Sequence, residues 1–518
     1  MEFMSAIKST LNNDYNVSIT ENGGVGYRTT GKELLDLNFA VASLRKMSDV
    51  EVVKRFRKAF CEDNILAIKW LFYARDCHEG VGERRLFRVV LEDLVKSNPE
   101  MVIPVINLVP EYGRYDDLWC LLDNVEAAKV IYTMVDKQLV ADMKNMENNK
   151  SISLLAKWLP SSNASSEKTK KYAKQIYKAL GLTEREYRKM LSAFRKYLDV
   201  VEVKMSDKNW SEIKYEAVPS RANLIYNGAF LRNDEERRRE YLGKLEKGET
   251  KINASTLFPH DIVHKYMTGG MWSASLKSKD ATIEALWKAL PDTVKGCGNT
   301  IVVADGSGSM TCRVDNNSGV TALEVANALA IYFAEHSSGQ FKDKYITFSE
   351  RPQFVDFSGC NSLHAKLQTA LAHNEVANTN IEKVFDLILT TAINNQMHQE
   401  DLPQNVLIVS DMEFDSCATC GNSSRWDRNR PNQKLFDVIA QRFTDAGYKM
   451  PRLVFWNVNS RTGTIPVKEN ELGVALVSGF SVNVAKMVMS GSVDPFECLL
   501  EILNSDRYVP IENAINKN

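Results

Sequence analysis

Beyond residue 293 the chain alternates short, wholly apolar runs with longer segments whose apolar residues return every three or four positions. The runs NTIVVAD, KYITFS, NVLIVSD, RLVFWNV and GVALVSG are rich in β-branched residues and have no polar face. Between them, TALEVANALAIYFAEHS, NIEKVFDLILTTAINN and KLFDVIAQRFTDAG keep helical period, and PFECLLEILN closes the series. Strands without a polar side must be covered on both faces, so the pattern predicts a mostly parallel, doubly wound sheet over 293–518. In such sheets ligands bind outside the carboxyl ends of the strands.

The part before it reads differently. Residues 1–30 are polar, with ENGGVGYRTTG as a loop, and read as an N-terminal arm. Over 31–292 helical period dominates: Ser48 or Asp49 is placed to cap a first helix, and NILAIKWLFYARD, GERRLFRVVLEDLVKS, PEMVIPVINLVPEY, VEAAKVIYTMVDKQLVADMKNM, EKTKKYAKQIYKALG and TEREYRKMLSAFRKYLDVVE follow. Short Gly, Pro or Ser breaks between long helices predict antiparallel pairs stacked as an α-solenoid. The expected fold class is therefore multidomain α plus α/β, as 518 residues are in any case too many for one core. No stretch reaches the ~18 uncharged apolar residues of a membrane helix. Nine scattered cysteines, an odd number, suit reduced thiols rather than a disulfide framework. These features predict a cytoplasmic chain, with the nucleus as the alternative, and no membrane partner.

The first apolar run ends in VVADGSGSM. Asp305, Ser307 and Ser309 alternate, so a loop leaving the strand can turn all three toward one point while Gly306 and Gly308 let the backbone bend. One carboxylate and two hydroxyls make a hard oxygen site suited to Mg²⁺ or Mn²⁺. Alone, the triplet is equally an ordinary polar turn. Two further oxygen groups, Thr379 before a helix and Asp411 at the end of NVLIVSD, add to the cation reading. Rival chemistries lack their residues. A phosphate loop needs a Lys after the glycines, the histidines form no HExxH, and the Cys417/Cys420 pair in CATC has no second half to make a zinc site. No catalytic assembly emerges, and the chain is expected not to be an enzyme.

VVADGSGSM, NTNIEKVFD and VLIVSDMEFD resemble the three segments of the metal-ion-dependent adhesion site of von Willebrand factor A domains. The resemblance implies that Asp305, Ser307, Ser309, Thr379 and Asp411 hold a divalent ion whose open position takes a carboxylate from a protein partner. Met412 follows Asp411 where that family commonly has glycine.

Between Glu167 and Lys251 there are 21 Lys or Arg against 14 Asp or Glu, whereas the whole chain has a net charge of −1. KTKKYAKQIYK, REYRKMLSAFRKY and ERRREY interleave cations with aromatic residues, a mixture that grips phosphates and offers stacking faces. A solvated helix face is the alternative. RDCHEGVGERRLF, LVPEYGRYDDLW, LLAKWLP, YRKMLSAFRKYLDVVE and YEAVPSRANLIYNGAF are similar in order and spacing to the TROVE module of the Ro ribonucleoprotein family, in which that module precedes a von Willebrand A domain. That resemblance implies a HEAT-like helical ring binding single-stranded RNA ends or small non-coding RNA. Lys157, Arg188, Lys189, Arg195 and Lys196 are the candidate RNA contacts. Tyr187, Tyr197 and Trp158 suit core or stacking equally. Gly80 and Gly82 are expected to form an interhelical turn leading to Glu83, and Arg114 and Asp117 to pair and fix a loop.

Overall fold

The computed structural model describes residues 15–21, 25–268, 275–294, 299–316, 318–348, 351–373, 381–414, 433–467, 473–485 and 494–517. The chain forms a helical part and a part built on a six-stranded sheet, a multidomain α plus α/β arrangement. Its two compact units interleave along the sequence. One comprises Met1–Ser48, Arg55–Asp63 and Leu257–Asn504, and the other Asp49–Lys54, Asn64–Thr256 and Ser505–Asn518. The α/β unit thus takes in the first 48 residues, and the final residues return to the helical unit. Among the described residues no helix is long and apolar enough to cross a membrane.

In the helical unit, α1 (Asn64–Arg75) is buried continuously from Ala67 to Arg75. The turn to α2 (Arg84–Ser97) holds Gly80 and Gly82 as expected. A Cβ at Gly80 would lie 2.0 Å from the carbonyl oxygen of Tyr73, and Gly82 has φ +82°, so both glycines are required by the path of the chain. Asp117, fully buried, joins this region. It accepts from Arg75 Nε at 2.8 Å, Arg88 Nε at 2.7 Å and the Arg114 backbone N–H at 3.0 Å. The expected Arg114–Asp117 side-chain pair is thereby corrected: the Arg114 guanidinium instead bonds Asp116 at 2.8 and 2.6 Å and lies 3.8 Å over the Trp158 ring.

Further along come α3 (Val125–Glu147), α4 (Leu155–Trp158), α5 (Glu167–Ala179) and α6 (Glu184–Tyr197). The Asn124 side chain caps α3 by accepting from the amides of Glu126 and Ala127. Thr183 and Glu186 form a reciprocal capping box on α6. On α6 the buried residues are Tyr187, Leu191 and Phe194, spaced four and three apart, so Arg185, Lys189 and Lys196 fall on the opposite, exposed side. Then α7 (Ser220–Asn233) and α8 (Glu235–Glu246) follow. The stretch PEMVIPVINLVPEY is not the single helix its apolar period predicted. It divides into Pro99–Val102, a 3₁₀ segment Ile103–Leu108 and Val109–Tyr112, because Pro104 and Pro110 each remove a donor and clash with the preceding turn.

In the α/β unit, β1 (Val17–Ile19) and β2 (Val25–Tyr27) form an antiparallel hairpin. The described part of the expected arm is thus folded: Tyr27 is buried and exchanges two 2.8 Å backbone bonds with Ile465. A two-residue ladder, β3 (Met267–Thr268) with β4 (Ser275–Leu276), comes next. The main sheet contains β5 (Thr300–Asp305), β6 (Lys344–Phe348), β7 (Phe354–Asp356), β8 (Asn405–Ser410), β9 (Arg452–Asn457) and β10 (Val474–Ser478), in spatial order β10-β9-β8-β5-β6-β7. All neighbours are parallel except β6–β7. Every residue of β5 is buried, as an apolar central strand requires. The following helix α9 (Ala322–His336), capped by the Thr321/Glu324 box, is buried from Ala322 to Ala334 and packs on β5, β6 and β8. From β5 the chain runs outward to β6 and β7, then returns to β8 on the other side and continues to β9 and β10. The order therefore reverses between β5 and β8, where a parallel sheet opens a crevice at its carboxyl edge.

Candidate metal site

Strands β5 and β8 pair with Ala304 opposite Val409, so Asp305 and the Ser410–Asp411 step leave the sheet side by side at that edge. Asp305 and Asp411 are each 1% exposed. Asp305 accepts the Ser307 N–H at 2.9 Å with one carboxylate oxygen and the Ser410 hydroxyl at 2.6 Å with the other. The hydroxyls of Ser307 and Ser309 are 3.0 Å apart, Ser309 bonds in turn to Asp411, and Asp411 accepts the Glu413 N–H at 3.3 Å. Four of the five oxygen donors read from the sequence thus form one connected cluster. Thr379 lies outside the described residues, as do Cys417 and Cys420.

Two buried carboxylates in one cluster are electrostatically costly. The Asp411 carboxyl is pushed up to about 7, first because burial penalises its charge and next because Asp305 beside it is negative; Ser309, Arg461 and the Glu413 amide pull the other way. The nearest compensation is the Arg461 guanidinium, 3.5 Å from Asp411 and closer, at 2.9 Å, to Glu21. A hard divalent cation suits this donor set, because it would neutralise both carboxylates and accept the hydroxyl oxygens as ligands. Among the described residues no three His, Cys, Asp or Glu side chains come together as a metal-binding group, so a site here depends on the serine oxygens as well as the carboxylates.

Three contributors were not read from the sequence. Ser410 orients Asp305. Glu413, buried, gathers the N–H groups of Arg461 at 2.8 Å, Thr462 at 3.0 Å and Glu21 at 2.9 Å. Arg461 comes from a segment fifty residues away along the chain, where no local pattern announces it. The acid in SDMEFD was the available signal for Glu413. Met412 adopts φ +63° with its side chain buried, a left-handed conformation that glycine takes without strain.

The five candidate RNA contacts divide. Arg188, Lys189 and Lys196 on α6 are exposed, and Lys157 is half-buried, 5.6 Å over Trp158. Arg195, half-buried, has a structural role in the fold. Its guanidinium donates to the Ala156 carbonyl at 2.9 Å, the Ser161 hydroxyl at 2.9 Å and the Leu159 carbonyl at 2.7 Å, one bond from each nitrogen, so it ties α6 to the α4 segment. Tyr187 belongs to the core and donates to the Pro160 carbonyl at 2.9 Å. Tyr197 keeps an exposed ring while its hydroxyl donates to the Lys150 carbonyl at 2.8 Å.

Comparison with known proteins adds family membership. Residues 165–300 match the model of a domain of unknown function, DUF2828, and residues 299–506 match another, DUF7788. The second match contains the whole Asp305–Asp411 cluster. The uncharacterised protein L728 of Acanthamoeba polyphaga mimivirus is 30% identical over 94% of this chain and 87% of its own length. With likeness of that extent, spanning both the helical segments and the sheet, the chain belongs to the family of that viral protein.

Proposed function

We propose that the protein is a non-enzymatic RNA-binding scaffold, whose helical unit grips RNA and whose α/β unit docks a partner through a divalent ion, Mg²⁺ or Mn²⁺. The observation that carries the docking half is the meeting of Asp305, Ser307, Ser309 and Asp411 at the reversal point between β5 and β8. It agrees with the resemblance to von Willebrand A domains, in which such an ion presents an open position to an acidic side chain. Asp305 and Asp411 would hold the ion, and Ser307 and Ser309 would complete its inner oxygens. Burial of both carboxylates limits their approach to bulk water. Among the described residues no group of three His, Cys, Asp or Glu side chains offers a second metal site beside the cluster, and docking needs only a single ion with an open position.

The RNA half rests on the resemblance to the TROVE module and on exposed cations of α5 and α6. Lys174, Lys178, Arg188, Lys189 and Lys196 are all exposed, with Glu186 the acidic neighbour of Lys189. Fluorescence anisotropy of a labelled single-stranded RNA, measured across a salt series, tests it. The wild-type chain is expected to bind with affinity falling steeply as salt rises, and the charge-reversed Arg188→Glu/Lys189→Glu variant to lose most of that binding.

A second reading, a protein-binding adaptor without RNA, is favoured by the pairing of other cations in the same region. Lys171 bonds Asp123 at 2.7 Å, Lys170 bonds Glu167 at 2.7 Å and Arg239 bonds Glu235 at 2.8 Å. A flat salt response, or binding indifferent to the charge reversal, would select the adaptor.

A further inference from the structure

The helical unit contains a polar cavity of about 810 Å³ between the end of α6, the segment 211–216 and α8, the size of a small-ligand pocket. Several of its charged side chains are satisfied within the fold. Lys204 bonds Asp199 at 2.6 Å and the Glu212 carbonyl at 2.7 Å. Lys244 bonds Glu240 at 2.7 Å, and Arg237 is held by Asp234 and by the carbonyls of Trp210 and Ile213, each at 2.9 Å. What remains exposed toward a ligand is a small set. Lys196 and Lys214 have no carboxylate partner among the described residues, Glu212 has no side-chain bond there, and Glu216 meets the Thr250 hydroxyl at 3.5 Å and lies close enough to Lys244 to raise its basicity. Beside them the Tyr197 ring is 36% exposed, fixed at its hydroxyl end by Lys150.

A groove built only to follow phosphates would exclude carboxylates, since they repel the backbone. Two lysines, two glutamates and one fixed aromatic face instead match the three parts of a ribonucleotide. The lysines suit its phosphate, the ring suits stacking against its base, and carboxylates accept hydrogen bonds from ribose hydroxyls, the group that separates RNA from DNA. The geometry points to this cavity as a ribonucleotide subsite for single-stranded RNA, in which Lys196 and Lys214 take phosphate and either Glu212 or Glu216 accepts the single hydrogen bond of the 2′-hydroxyl. The assignment rests on the RNA-binding reading of the helical unit.

The test is anisotropy on the full chain with a short fluorescein-labelled oligouridine and its 2′-deoxy counterpart. The wild-type chain is expected to prefer RNA by about tenfold, the effect of one hydrogen bond to a charged group. Glu212→Gln/Glu216→Gln should erase most of that preference while leaving DNA binding equal or stronger, and Lys196→Glu/Lys214→Glu should weaken both ligands. All four side chains are exposed, and unchanged circular dichroism would establish that the variants fold. RNA binding that survives Lys196→Glu/Lys214→Glu, or equal binding of RNA and DNA by the wild type, overturns the subsite and leaves the RNA reading standing. Absence of any nucleic-acid binding overturns the RNA reading itself.

Discussion

Asp411 shows how one side chain links fold to chemistry. Its carboxyl is raised from 3.8 to about 7 by burial and by Asp305, so in the cation-free protein its charge opposes folding. For a raised carboxylate the cost is full above the folded value and fades as pH falls toward the ordinary one. Asp411→Asn is therefore predicted to stabilise metal-free protein at pH 8 by up to about 4 kcal/mol, seen as a raised thermal midpoint, and to change it little at pH 4. A midpoint lowered at pH 8 would contradict this. Protons compete with the cation for the same oxygens, so Mn²⁺ affinity should weaken as pH drops from 8 to 6, which calorimetric titration at the two values would read. Thiol chemistry follows the same logic of burial. Cys61 is exposed, whereas the Cys120 thiol is pushed up to about 12, chiefly by burial and then by Glu92. Alkylation of the native chain at pH 8, mapped by mass spectrometry, should label Cys61 and leave Cys120 unmodified.

Among the elements, α6 has the most to test. Its amphipathic spacing, Thr183 cap and exposed cations were all legible in TEREYRKMLSAFRKYLDVVE, because helix period and capping chemistry are local. Its attachment was not. Arg195 reads as a surface cation until Ala156, Leu159 and Ser161, more than thirty residues earlier, are brought to it. Arg195→Lys should destabilise the chain by about 1–3 kcal/mol in urea unfolding, since an ammonium cannot reach three acceptors fixed for a planar fork. Stability within error of wild type would show that the tether contributes nothing. The same distinction explains the sheet. The five parallel strands were visible as apolar runs, whereas β7, three residues at an antiparallel edge, and the β1–β2 hairpin depend on partners far away in sequence. The hairpin's Ser18 reaches Thr464 and its Thr20 reaches the Phe414 carbonyl, contacts that no local pattern encodes.

For the whole molecule, sequence reading separated a helical region from an α/β region because the hydrophobic period changes near residue 290, but it drew the parts as consecutive. The structure interleaves them: residues 505–518 return to the helical unit, where Arg507 bonds Asp76 at 2.9 Å and Tyr508 bonds it at 3.1 Å. A charged residue, Asp76, buried without this partner would be costly. The cluster at the sheet edge was legible in large part because three of its oxygens lie within five residues and the fourth ends an adjacent strand. Its collar of Ser410, Glu413 and Arg461 was not, since their roles exist only once β8 and the segment after β9 are in place. Calorimetric titration of Mn²⁺ into the full-length chain near pH 7.5, beside folded Asp305→Ala and Ser309→Ala variants, tests the central assignment most directly. One ion per wild-type chain is predicted, with binding abolished in the first variant and weakened in the second. A wild-type chain that takes up no ion, or an Asp305→Ala chain that binds it as tightly, would contradict the account.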